Sequence, residues 1–217
     1  MAGKIKWGIL GYANIARDEL IPAILQSKNS EFYALASRAP GKLESCRKSF
    51  NFEKGYVGYD ALLNDPEVQA VYIPLPNSLH REWTIKAARC GKHVLCEKPV
   101  ALNAAECMEM TEACESNHVL LMEAFMYRYS DRVRQLKKLL DSGMIGEIRH
   151  ISASYRFLLD WGNDVRMVPE LGGGSLYDVG CYPVNFIGMI TGRVPSAVQA
   201  QVVMQNGVDY SFSSLLE

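Results

Sequence analysis

No run of residues in this chain is apolar and long enough to cross a bilayer, and its N-terminus has no signal-peptide core. No C-x-x-C pair occurs among the six cysteines, Cys46, Cys90, Cys96, Cys107, Cys114 and Cys181. Scattered through apolar and helical stretches, they read as reduced, buried thiols of a cytoplasmic protein, not as disulfides, and no metal site is expected. Neither charge is in excess: Lys+Arg 23 against Asp+Glu 24 gives a formal net charge of -1. That removes the electrostatic case for nucleic acid or an anionic membrane. What is left is the expectation of a soluble globular protein of 217 residues, with one large domain or two small ones.

The chain opens with an apolar strand, K-I-K-W-G-I-L at 4–10, followed by Gly11-Tyr12-Ala13-Asn14-Ile15-Ala16. This is a dinucleotide turn, G-x-G-x-x-G, with alanine at the second and third glycine positions. Gly11 permits the tight turn, Ala13 lets main chain approach a pyrophosphate, and Ala16 allows close helix–strand packing. The helix that follows offers N–H groups to the phosphates. Pro22 interrupts that helix, which is expected to restart there. The second strand, 31–37, ends at Ser37-Arg38 with Lys42 close behind, where an NAD-specific fold usually carries an acid. A guanidinium pairs with a 2′-phosphate, so NADP is the expected cofactor, with NAD as the alternative. A solvated loop arginine is the plainer reading of Arg38.

Helices are expected at 41–52 and 59–64 and a short strand at 56–57. A buried strand at 68–75 ends in Leu75-Pro76-Asn77, which should lie against the nicotinamide ribose. Asn77 or Ser78 is expected to cap the next helix, 80–90. His80 has two readings: it faces the cofactor, or it is a structural histidine of the capping turn. The run His93-Val94-Leu95-Cys96 is a further buried strand, and Glu97, Lys98 and Pro99 stand where it ends. Ligands of an open α/β sheet bind at that end, and Pro99 restricts Lys98, so the amine is aimed. A surface lysine is the plainer reading. Asn103 caps a helix to about 117, and 119–125 is the next strand. Such alternation argues a parallel, doubly wound sheet over 1–124.

From 125 the pattern changes. Residues 132–142 form an amphipathic helix ending at Gly143, and 147–157 alternate as a long strand of a second sheet would. Residues 196–216 read as a hairpin about Asn206-Gly207. Between them, Gly172-Gly173-Gly174 would let the chain pass close to something large and flat. The helix after the glycines puts Asp178 and Tyr182 four apart, on one face.

These segments together resemble the family of glucose-fructose oxidoreductase, inositol dehydrogenase and rhizopine catabolism proteins (Gfo/Idh/MocA). The resemblance rests on W-G-I-L-G-Y-A-N-I-A at 7–16, A-S-R at 36–38, P-N-S-L-H at 76–80, E-K-P at 97–99 and G-G-G-S-L-Y-D-V-G-C-Y-P-V-N at 172–185, in the family's order. Tyr182, where most members carry histidine, and the stretch Asn163-Asp164-Val165-Arg166 resemble the branch of dimeric dihydrodiol dehydrogenase, NADP-xylose dehydrogenase and glucose-fructose oxidoreductase.

The resemblance implies a Rossmann domain at 1–124 and, over 125–217, a substrate and oligomerisation domain with an open, mainly antiparallel sheet. It implies NAD(P)-dependent hydride transfer to or from a sugar, polyol or trans-dihydrodiol, and homo-oligomerisation through the second sheet. Tyr182 would then carry the proton, and Lys98 would stabilise its phenolate and bind the substrate oxygen. Asp178 would bind a substrate hydroxyl or orient Lys98, unless it is a simple salt-bridge residue. Glu97 and Arg166 would join the cofactor contacts. Family members run well past position 217, so the expectation is a sheet whose edge and apolar face await cover. A second class also stands: an NAD(P)-binding regulator of the same family, without turnover.

Overall fold

A computed structural model describes residues 3–159 and 164–217, so Asn163 lies outside the described residues. The chain divides into two compact units, Met1–Ala124 and Phe125–Glu217.

The first unit alternates strands and helices. In order these are β1 (Ile5–Leu10), a π-helical turn (Ala16–Leu20) running into α1 (Ile21–Gln26), β2 (Ser30–Ser37), α2 (Pro40–Ser49), β3 (Lys54–Val57) and α3 (Tyr59–Leu63). Then come β4 (Ala70–Ile73), a 3-10 turn (Asn77–Leu79), α4 (His80–Arg89), β5 (His93–Cys96), α5 (Ala104–Ser116) and β6 (Leu121–Glu123). All strand pairs are parallel, in the order β3-β2-β1-β4-β5-β6. The strand order reverses between β1 and β4, which makes their carboxyl ends the binding crevice of a doubly wound sheet. Both faces are covered, as in parallel sheets generally. Neighbours on β1 feed opposite layers: Leu10 packs with Leu62, Val71, Val94 and Met110, and Ile9 with Ile21, Phe32, Leu35 and Tyr72.

Local signals explain most boundaries. Pro22 is the second residue of α1, and the helix runs into it from the π-helical turn without a break. The Asn103 side chain accepts from the Glu106 N–H at 2.9 Å, and Glu106 reaches back to the Leu102 N–H at 3.1 Å. The expected cap on α4 is different. Leu79, without a side-chain bond, occupies the N-cap. The 3-10 turn supplies acceptors instead, Pro76 O for the Leu79 N–H and Asn77 O for the His80 N–H. The strands expected at 68–75 and 119–125 are paired only over Ala70–Ile73 and Leu121–Glu123, so their ends are loop.

The second unit contains a 3-10 turn (Met126–Tyr129), α6 (Asp131–Asp141), two further 3-10 turns (Val165–Met167, Pro169–Leu171), a π-helical turn (Leu176–Gly180) leading into α7 (Cys181–Thr191), and the strands β7 (Val198–Gln205) and β8 (Val208–Leu216). Ser130 caps α6 through the Val133 N–H. The hairpin turns on Asn206 (φ 50°) and Gly207 (φ 82°), the left-handed pair that its two-residue loop requires. The expected strand at 147–157 is not formed. A strand exists only through its ladder, and among the described residues none pairs with this segment. Among the described residues no helix is long and apolar enough to cross a membrane.

A buried polar knot sits at the base of the first sheet. Lys92, 6% exposed, donates to the carbonyls of Asp65 and Val68 at 2.7 and 2.8 Å. The Asp65 carboxylate accepts from Tyr56 Oη at 2.7 Å, the Glu67 N–H at 3.0 Å and Lys54 Nζ at 3.1 Å. Burial works against ionisation of Asp65, but these bonds prevail and hold its carboxyl below the ordinary value. A carboxyl lowered in the native state stabilises the fold above the unfolded pKa of about 3.9 and loses that contribution as pH falls through its native value. Asp65→Asn should therefore cost about 1–3 kcal/mol at neutral pH. In urea unfolding the difference from wild type should shrink below about pH 4; a cost independent of pH would contradict this account.

Candidate active site

The crevice begins at Gly11. Its φ of +100° is the left-handed turn that glycine adopts freely, and a Cβ there would meet Leu75 Cδ2 at 3.0 Å. The loops after β1 and β4 thus touch across the switch point. The helix opens at Asn14, and its first-turn N–H groups have no carbonyl one turn earlier to bind. Asn14 and Ile15 are exposed there and Ala13 is half-buried. Tyr12 contributes main chain only: its ring is 9% exposed and packs with Ala16, Ile21 and Cys46. At the end of β2, Ser37 is buried and its Oγ accepts from the Ala39 N–H at 3.2 Å, which fixes the following turn. Arg38 and Lys42 are exposed beyond it, the Arg38 guanidinium 5.9 Å from the centroid of the Tyr59 ring. A small-residue turn, a helix start and two cations fit a dinucleotide carrying an extra phosphate.

Lys98 stands, half-buried, in the loop after β5, and the Lys98–Pro99 peptide is cis. The surrounding main chain is bonded at several points. Glu97 accepts from the Lys98 N–H at 3.2 Å and from Tyr72 Oη at 2.5 Å. Glu123 accepts from the Val100 N–H at 2.8 Å. Tyr72 and Glu123 were absent from the sequence-derived candidates; a tyrosine in a buried strand, whose hydroxyl must find a partner, was the available signal for the first. Glu97 is engaged with protein groups at the place where a cofactor contact was expected. His80 corrects its expected contact: it is 0% exposed, with one ring nitrogen on Pro99 O and the other on Leu75 O. Of the two readings, the structural one fits. Leu75 is buried, and Pro76 and Asn77 are half-buried at the rim of β4.

In the second unit the chain from Ser175 to Thr191 is helical, with the π turn at its start. Asp178 lies in that π turn and Tyr182 in the first turn of α7. Asp178 pairs with Arg166 Nε at 3.0 Å, and Arg166 also binds Asp164 at 3.0 Å. The salt-bridge reading of Asp178 and the cofactor reading of Arg166 thus meet in one ion pair. The Tyr182 ring stacks on Tyr155 (centroids 5.4 Å apart) and meets Phe125 edge-on at 5.3 Å. Its hydroxyl lies 3.7 Å from Met126 Sδ. Tyr127, 6.1 Å from that ring, is itself fixed by a bond to Asn185 at 2.7 Å.

The glycine stretch passes close to the unit's own chain. The Gly174 N–H donates to Arg166 O at 2.9 Å, and a Cβ on Gly174 would lie 1.9 Å from Asp209 Oδ1. Asp209 anchors the helix start, accepting from Ser175 Oγ at 2.7 Å and the Leu176 N–H at 2.6 Å. It favours the helix through both bonds and charge. Nothing at sequence level ties position 209 to 175.

The model of an oxidoreductase family with an NAD-binding Rossmann fold matches residues 5–125, and that of the GFO/IDH/MocA C-terminal domain matches 133–217. A D-xylose 1-dehydrogenase (NADP(+)) of Haloferax volcanii is 39% identical over 97% of this chain and 65% of its own length. A trans-1,2-dihydrobenzene-1,2-diol dehydrogenase of Xenopus tropicalis is 33% identical over 98% of this chain and 65% of its own. The chain thus spans about 65% of these relatives. A 3-ketoreductase from Actinomadura kijaniata, crystallised with NADP and TDP-benzene, superposes with a TM-score of 0.84 at 36% identity, covering 92% of this chain and 60% of that one. It has also been solved as a tyrosine-to-phenylalanine variant and as variants of one lysine.

Asp209→Ala removes both bonds at the helix start. A lost cap costs about 0.5–2 kcal/mol, so exchange of the Leu176 amide should speed up by about two- to thirtyfold in a hydrogen-exchange measurement. An unchanged rate would show that the helix start holds without Asp209.

Proposed function

The chain belongs to the GFO/IDH/MocA oxidoreductase family, and on that premise we propose that it is an NADP-dependent dehydrogenase or reductase acting on the CH–OH or keto group of a sugar, polyol or trans-dihydrodiol. One observation carries the catalytic part of the reading. The lysine and the tyrosine varied in the solved 3-ketoreductase lie as many residues apart in its chain as Lys98 and Tyr182 do here. The relatives named above are dehydrogenases and reductases, which supports turnover over a regulator without chemistry.

When bound, the nicotinamide supplies or accepts the hydride. The residues of this chain do the rest. N–H groups at the Asn14 helix start hold the pyrophosphate, and Arg38 and Lys42 hold the 2′-phosphate. Lys98 binds the substrate oxygen and stabilises the Tyr182 phenolate; Tyr182 Oη takes the hydroxyl proton in oxidation and returns it in reduction. Asp178, paired with Arg166, binds a substrate hydroxyl or orients Lys98. Six free cysteines suit a reducing, cytoplasmic setting. Self-association through the second sheet belongs to the same reading, since β7 exposes Val198, Val202 and Met204.

The test is a panel of aldoses, inositols and trans-dihydrodiols with NADP and NAD, following absorbance of the reduced cofactor. Turnover with NADP is expected; NADP binding without turnover of any of them would favour the regulator. In the same assay Arg38→Asp should weaken NADP about tenfold to a hundredfold and spare NAD, the effect of one charge-assisted contact. Equal weakening of both would show that Arg38 serves the fold and not the phosphate.

A further inference from the structure

His80 heads α4 with its ring between two loops. Nδ1 lies 2.8 Å from Pro99 O and Nε2 2.8 Å from Leu75 O. Leu75 follows β4 and touches the Gly11 turn; Pro99 follows β5 and is the neighbour of Lys98. The ring therefore bridges the two strand-end loops of the crevice.

We propose that His80 is a positioning residue, tying the loop after β5, and with it the Lys98 main chain, to the loop after β4. The tie stands on geometry; its catalytic consequence rests on the reading of Lys98 given above. The chemistry of the ring makes the tie adjustable. A carbonyl oxygen only accepts, and a neutral imidazole has one N–H, so the neutral ring donates to one loop and lies against the other. The imidazolium has two and holds both.

The groups acting on the ring are few. Burial opposes the cation, the Pro99 and Leu75 carbonyls and Glu97 favour it, and Lys98 opposes it, leaving His80 below the ordinary histidine value. Cys96, in β5, has its thiol pushed far up by burial and stays neutral. From α5, Glu109 is engaged by Arg81, and from β6, Glu123 by the Val100 N–H. The second bond therefore closes on acidification, as the ring gains its second proton below the usual histidine range.

The test uses cofactor-free protein first. His80→Gln should speed amide exchange of Lys98 and Val100 by about tenfold or more while leaving β1, β2 and β3 near wild type, a local opening. No change, or a uniform increase through the whole unit, would overturn the proposal. In wild-type protein, a pH titration by NMR should show the His80 ring and the Lys98 and Val100 amides moving with one midpoint. A ring that titrates while those amides stay still would overturn it too, and this arm decides if the variant fails to fold. With cofactor and substrate, His80→Gln should lower kcat about tenfold to a hundredfold, the scale of a misplaced group, with KM for NADP little changed. Unchanged kcat beside faster Lys98 exchange would overturn the catalytic consequence. Absence of turnover in the wild type would sink the proposed function and leave the exchange result to judge the tie.

Discussion

Main chain that leaves a buried strand must still satisfy every N–H and C=O it carries. At the end of β5 the last rung is the Glu97 N–H on Ile73 O at 3.1 Å, and the half-buried residues that follow leave the sheet. Side chains from three other elements take the ladder's place: Tyr72 of β4 through Glu97, His80 of α4 at Pro99, and Glu123 of β6 at Val100. Each such bond contributes about 1 kcal/mol net, but leaving its buried partner unmade costs more. The loop is thereby held to one conformation, and Lys98 is presented from a fixed backbone and not from a mobile turn.

The second unit meets the same demand at a helix start. Gly174 leaves room for Asp209, and Asp209 takes the Leu176 N–H and the Ser175 hydroxyl. Downstream, Phe125, Tyr127 and Tyr155 surround the Tyr182 ring. Aromatic pairs of this kind are worth about 0.5–1.5 kcal/mol each beyond their burial. They hold the ring in place, which the proposed role of its hydroxyl requires.

Features written in local sequence were legible before the fold was known. Gly11 and its helix, the buried strand at 93–96, the Asn103 cap and the Asn206-Gly207 hairpin each depend on a few neighbouring residues. The failures share a different cause. The segment 147–157 alternates like a strand, but a strand needs a partner, and alternation does not supply one. The π turn at Leu176–Gly180 is announced by no residue type. The two readings of His80 stayed open because Pro99, nineteen positions away, is brought to it only by the pairing of β4 with β5. The Asp209 anchor likewise spans 34 positions.

The central proposal is that Lys98 and Tyr182 both serve the proton step of the reaction. Measuring kcat/KM for Lys98→Met, Tyr182→Phe and the double variant tests it most directly. Each single change should lower turnover by about a hundredfold to ten-thousandfold, the usual share of general acid–base catalysis. Residues that work as a unit are not additive, so the double variant should be no worse than the more damaging single one. Losses that multiply in the double variant would mean that the two residues act independently and would contradict the account.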